Sequence, residues 1–115
     1  MNILFLDDSP ERCKAFRAEQ PSATIVNTAA EAIAALTTYS WNEVHLDHDL
    51  GGETFVDSSL PNTGMEVVRW ICENKPVIGL VVVHTCNPPA GDAMVSSIEN
   101  HGYMVRRCPF PWRQR

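Results

Sequence analysis

The sequence predicts an α/β protein, a doubly wound five-stranded parallel sheet with helices on both faces. Three observations predict it. Short apolar runs alternate with helix-like segments, a pattern of crossover units rather than of a sandwich. The first run, Ile3-Leu4-Phe5-Leu6, is continuous, as a strand covered on both faces requires. The polar residues capable of chemistry gather just after such runs, where open parallel sheets bind ligands. With 115 residues, 44% hydrophobic and 20% charged, the chain suffices for one packed domain over residues 1–115 and is too short for two ordinary ones.

Each element has its own signal. After the first strand, Ser9 can cap a helix and Pro10 suits its first position, where a missing N–H costs nothing; this helix runs to about Glu19, before Pro21. Ala23 to Asn27 form the second strand. An alanine-rich helix follows from about Ala29 to Thr38, with Ala29, Ile33 and Leu36 on one face. The third strand is Glu43 to Asp47. Gly51 to Thr63 is too polar and broken for regular structure, and connections of that length in a small domain are functional or disordered. A helix from about Gly64 to Asn74 presents Met65, Val68, Ile71 and Cys72 on one face. Val77 to Thr85, Ala90 to His101 and Tyr103 to Arg107 are the fourth strand, fourth helix and fifth strand. The closing PWRQR is a short tail or the start of a fifth helix.

Composition excludes several functions. A net charge of -5 and a pI near 5.2 argue against holding extended duplex nucleic acid through phosphate neutralisation, although an RNA end could enter a small site. The longest apolar stretch, Val77 to Val83, is far short of the ~20 residues needed to span a bilayer, so no membrane role is expected. The first ten residues lack a basic leader and a small-residue cleavage site, which points to the cytoplasm. Cys13, Cys72, Cys86 and Cys108 have no CxxC spacing and read as separate thiols rather than zinc ligands.

The candidate site lies at the strand ends. Asp7-Asp8 ends the first strand, Asp47-His48-Asp49 the third, His84-Thr85-Cys86-Asn87 the fourth and Arg106-Arg107-Cys108-Pro109 the fifth. A strand order of 2-1-3-4-5 makes the first and third strands neighbours, so their carboxylates converge. Such crowding disfavours full ionisation unless a cation is present, and hard oxygen donors suit Mg²⁺ or Mn²⁺. Asp7, Asp8 and Asp47 are the candidate metal ligands. In an extended strand Asp47 and Asp49 point the same way and His48 oppositely. His84 ends an apolar strand at the same edge, where it could donate a proton or position water. Thr85, Asn87, Arg106 and His48 are candidates for holding phosphate oxygens or supporting the site. His45, His101 and Trp70 read as structural.

This pattern resembles a response-regulator receiver domain over nearly the whole chain. Asp7 and Asp8 match the receiver's metal-site pair, Asp47 its phosphoacceptor, and His84 or Thr85 its hydroxyl residue after the fourth strand; GMEVV opens the third helix and PF follows the last strand. Cys108 stands where a receiver has lysine, removing the charge that pairs with an aspartyl phosphate. LFLDDSPER, LDHDLGG, HTCNP and RRCPF together resemble the cyclic-phosphate processing receiver-like family. That resemblance implies action on cyclic phosphate ends of RNA or related nucleotides, with Asp7, Asp8, Asp47, Asp49, His84 and Asn87 as site residues.

The leading expectation is therefore a metal-dependent phosphoesterase with Asp47, Asp49 and His84 as catalytic residues, a Mg²⁺ or Mn²⁺ cofactor, and a small phosphorylated ligand or RNA end as partner. One variant makes Asp47 the nucleophile and Asp49 the acid/base, as in haloacid dehalogenase-type phosphatases. Two alternatives are a non-catalytic module that binds a phosphorylated ligand or a protein partner, and an atypical aspartyl phosphoacceptor.

Overall fold

A computed structural model describes residues 1–50 and 56–109. In chain order the elements are β1 (Ile3–Leu6), α1 (Pro10–Glu19), β2 (Thr24–Val26), α2 (Ala29–Thr38), β3 (Trp41–Leu46), α3 (Gly64–Asn74), β4 (Ile78–Val83), α4 (Pro88–Asn100) and β5 (Val105–Arg107). The strands form one parallel sheet in the order β2-β1-β3-β4-β5, the doubly wound architecture that the alternation and the receiver-like landmarks imply.

Strand alternation divides the core in two. Leu4, Leu6, Val44, Leu46, Val81 and Val83 pack on one face against Leu36 of α2, Val68 and Ile71 of α3, and Met94 and Ile98 of α4. Ile3 and Phe5 point to the other face, where Phe16 of α1 stacks on Phe5 with ring centroids 4.1 Å apart. Among the described residues, α1 is the helix that packs on this second face. Beside it lies a groove of about 400 Å³ lined by Phe16, Glu43, His45, Val82, His84 and Arg106 among others.

Caps set the helix starts. Ser9 accepts from the Arg12 amide, Thr28 and Glu31 form a reciprocal capping box, and Thr63 accepts from the Glu66 amide. Helix α4 begins at Pro88, not Ala90, because Asn87 is its cap and two prolines are tolerated in the first turn, where amides lack intrahelical partners. Strand β3 begins earlier than expected, at Trp41, whose amide donates to the Val77 carbonyl at 3.0 Å. Strand β5 is shorter, starting at Val105. No described helix is long and apolar enough to cross a membrane. The expected tail or fifth helix at PWRQR, and the first residues of the Gly51–Thr63 loop, lie outside the described residues.

Candidate active site

The parallel pairing of β1 with β3 carries both acidic segments to the same sheet edge: Leu6 pairs with Leu46, so Asp7 and Asp47 each follow the last paired residue. Among the described residues, oxygens of Asp7, Asp8 and Asp47 lie within 4.8 Å of one another, with Asp7 and Asp47 buried and Asp8 half-buried. The three expected metal ligands are thus brought together.

Their hydrogen bonding is uneven. Asp7 Oδ1 accepts from the Ser9 amide at 2.9 Å and from Arg12 Nη2 at 3.1 Å, while Asp7 Oδ2 accepts from Arg12 Nε at 2.7 Å. Arg12 Nη2 also lies 3.6 Å from Asp47 Oδ2, too far for a hydrogen bond. Asp47 Oδ2 is buried with no hydrogen-bond partner. Burial, then the neighbouring Asp7 charge, push the Asp47 carboxyl up to about 7, against the pull of Arg12.

An orphaned, buried carboxylate oxygen beside two more carboxylates fits a hard divalent cation, which takes oxygen ligands and repays the desolvation of all three. Asp7, Asp8 and Asp47 would hold it.

Arg12 escaped the sequence reading. The signal was present, because side chains in a helix lean toward its N-terminus, so an arginine in the first turn after Asp7-Asp8 reaches back to the strand end.

The DHD segment does not behave as an extended strand. Its backbone leaves β3 at Leu46, and His48 and Asp49, expected on opposite sides, bond directly: His48 Nδ1 lies 2.8 Å from Asp49 Oδ1. The same oxygen accepts from the Val56 amide at 2.9 Å and from Asn87 Nδ2 at 3.3 Å. His48 Nε2 reaches Ser58 Oγ at 2.9 Å, so His48 is a fully buried brace for the loop after β3. That loop is pinned again where Asn62 Oδ1 accepts from the Ala29 amide at the start of α2.

On β4 the structure sets His84 beside Asp47 in the sheet, since Leu46 pairs with Val83 and the His84 amide donates to the Leu46 carbonyl at 2.8 Å. It brings the ring to the α1 face of the sheet, with its Nδ1 2.7 Å from the Cys108 carbonyl and its Nε2 2.7 Å from His45 Nδ1. Alternation is the reason: Val81 and Val83 face α2 to α4, so Val82 and His84 face α1. Burial and the adjacent His45 lower His84 to about 4, holding it neutral at pH 7. Arg106 lines the same groove, on that face. Asn87 is taken up internally, its Oδ1 capping α4 and its Nδ2 donating to Asp49. Thr85 is buried, with Oγ1 accepting from the Asn87 amide at 3.1 Å.

A model of the cyclic-phosphate processing receiver domain matches residues 2–100. A search of curated proteins found no match. Similar solved structures are the signal receiver domain of a putative Luxo repressor protein from Vibrio parahaemolyticus (TM-score 0.68, 16% identity, 97% of this chain and 79% of that one) and that of an HD domain-containing protein from Pseudomonas fluorescens Pf-5 (0.67, 15%, 97% and 83%). A third is a response regulator from Burkholderia pseudomallei with a phosphorylated aspartic acid, calcium ion and citrate (0.63, 14%, 97% and 61%). At these identities the structures establish the fold.

Proposed function

This chain belongs to the cyclic-phosphate processing receiver domain family, and from that premise we propose that it is a metal-dependent phosphoesterase acting on cyclic phosphates, either RNA 2′,3′-cyclic phosphate ends or cyclic nucleotides. The observation that carries the reading is the orphaned Asp47 Oδ2, buried beside Asp7 and Asp8. A bound Mg²⁺ or Mn²⁺ supplies positive charge that neutralises the phosphate ester. Asp7, Asp8 and Asp47 hold and orient that charge at the end of β1 and β3. In the cation-free cluster the Asp47 carboxyl is held up near 7, so a cation bound there competes with a proton. Asp49 ties the loop after β3 to the cap of α4.

A second reading is favoured by the same oxygen. Asp47 Oδ2 is unencumbered by hydrogen bonds, as a phosphoacceptor's would be, and the Burkholderia relative of this fold carries a phosphorylated aspartic acid.

The deciding experiment is incubation with Mn²⁺ or Mg²⁺ and a panel of 2′,3′-cyclic nucleotides, cyclic oligonucleotides and RNA with a cyclic phosphate end. Hydrolysis that is lost in Asp8→Ala and Asp47→Ala supports the phosphoesterase. No hydrolysis, together with acid-labile label on Asp47 from a small phosphodonor, supports the second reading instead.

A further inference from the structure

The carboxylate cluster already contains a cation belonging to the chain. Arg12 places its guanidinium fork on Asp7, with one nitrogen 2.7 Å from Oδ2 and another 3.1 Å from Oδ1, and the second nitrogen extends to 3.6 Å from Asp47 Oδ2. Both oxygens of Asp7 therefore accept from Arg12, and Oδ1 accepts from the Ser9 amide as well. An ion that takes Asp7 as a ligand competes with that fork, because both acceptor sites of Oδ1 and one of the two on Oδ2 are in use and like charges at contact distance repel. Three carboxylates are only partly balanced by one guanidinium, so the cluster still attracts a second cation.

Arg12 is built to leave. Its side chain is 30% exposed, whereas that of Asp7 is 1% exposed, so the guanidinium has an outward route that the carboxylate lacks. Its backbone does not depend on the ion pair, since the Arg12 amide is held by Ser9 Oγ at the cap of α1. A swing of the side chain therefore leaves the helix in place.

We propose that Arg12 is a displaceable counter-ion, which fills the carboxylate cluster before a divalent cation arrives, gives up Asp7 to that cation, and turns its freed fork to the phosphate of the ligand. The inference rests on the cation reading above and adds to it an order of events and a phosphate-binding residue. A planar guanidinium suits the second task because two parallel N–H donors match two phosphate oxygens. No bond is made or broken in the step; one ion pair is exchanged for another.

The test compares wild type with Arg12→Gln, which removes the charge while retaining most of the length. Calorimetric titration with Mn²⁺ alone should show binding roughly five- to tenfold tighter in the variant, the gain expected from removing a partly exposed competing ion pair. In the wild-type protein, Mg²⁺ titration followed by ¹⁵N-detected NMR should shift the Arg12 Nε–H signal and speed its exchange with water. With Mg²⁺ saturating, inorganic phosphate should bind more weakly to the variant by about tenfold or more. A variant that binds Mn²⁺ no better than wild type, with an Arg12 signal unmoved by Mg²⁺, overturns the proposal while leaving the cation site standing. Absence of Mn²⁺ binding in both proteins overturns the cation reading and this inference with it. Thermal melts of the variant confirm that the compared proteins are folded.

Discussion

His45 Nδ1 and His84 Nε2 lie 2.7 Å apart on neighbouring strands, their rings stacked at 4.9 Å between centroids. They are the middle of a chain of hydrogen bonds that runs from Glu43 Oε1 through His45 and His84 to the Cys108 carbonyl. The carbonyl can only accept, so His84 Nδ1 carries a proton. Two neutral rings supply two N–H groups for three bonds, and His84 spends its own on the Cys108 carbonyl, so His45 donates either to His84 or to Glu43. Burial lowers the His45 pKa and so disfavours a further proton on that ring.

Besides the role expected from its position at a strand end, His84 thereby has a structural part in this network. His84→Ala should cost about 2–4 kcal/mol, because it empties a buried ring site and strands both the Cys108 carbonyl and His45 Nδ1. Mn²⁺ binding at Asp8 and Asp47 should persist. Denaturant unfolding alongside cation titration checks both halves.

Two groups make opposing contributions to stability across nearly the same pH range. Asp47 is raised to about 7, so the folded state binds its proton more tightly than the unfolded state does, and stability falls as pH rises from about 4 to 7. His84 is lowered to about 4, so the unfolded state binds its proton more tightly, and stability falls as pH drops from about 6.5 to 4. In wild type the two slopes oppose each other. Asp47→Asn removes the first and should reveal stability that rises with pH over about 4 to 6.5. Melting temperatures measured at half-unit steps would show it, and an unchanged profile would count against both assignments.

Asp49 Oδ1 gathers donors from His48, Val56 and Asn87, tying the loop after β3 to the cap of α4. Asp49→Ala should destabilise by about 1–3 kcal/mol through unpaired buried donors. Hydrogen exchange at the Val56 amide should accelerate, and Mn²⁺ should still bind. Loss of Mn²⁺ binding with an unaltered Val56 amide would instead make Asp49 a ligand.

Gly64 is the point where α3 starts against the end of β3. A Cβ there would collide with the Asp47 carbonyl oxygen and sit 2.9 Å from His48 Cα, both backbone atoms with little freedom. Gly64→Ala should cost about 3 kcal/mol or more and displace the Asp47 carboxylate, so cation affinity should fall together with stability. Urea unfolding and calorimetry on the same variant test the coupling.

Much of this protein was determined by the sequence alone. The apolar runs, the caps Ser9, Thr28 and Thr63, and the β/α alternation are local properties, and they fixed the elements within a few residues. The three-carboxylate cluster was legible because parallel strands deliver their C-terminal ends to one edge, whatever the side-chain details. Tertiary structure decided which way each remaining side chain turned. His84 stands at the carboxylate edge as its place at a strand end implied, following Val83 as Asp47 follows Leu46, but its ring nitrogens are taken up by His45 and the Cys108 carbonyl. His48 and Asp49 lost their expected alternation because β3 ends at Leu46, after which the loop's own donors and acceptors set the geometry. Asn87 offered an amide suited to phosphate, but the helix that follows needed a cap. Arg12 joined the site because a helix leans its side chains toward its N-terminus, which here follows Asp7 directly, while the pairing of β1 with β3 brought Asp47 beside them. Backbone order follows from local pattern; side-chain partnership depends on which groups, distant in sequence, the fold makes neighbours.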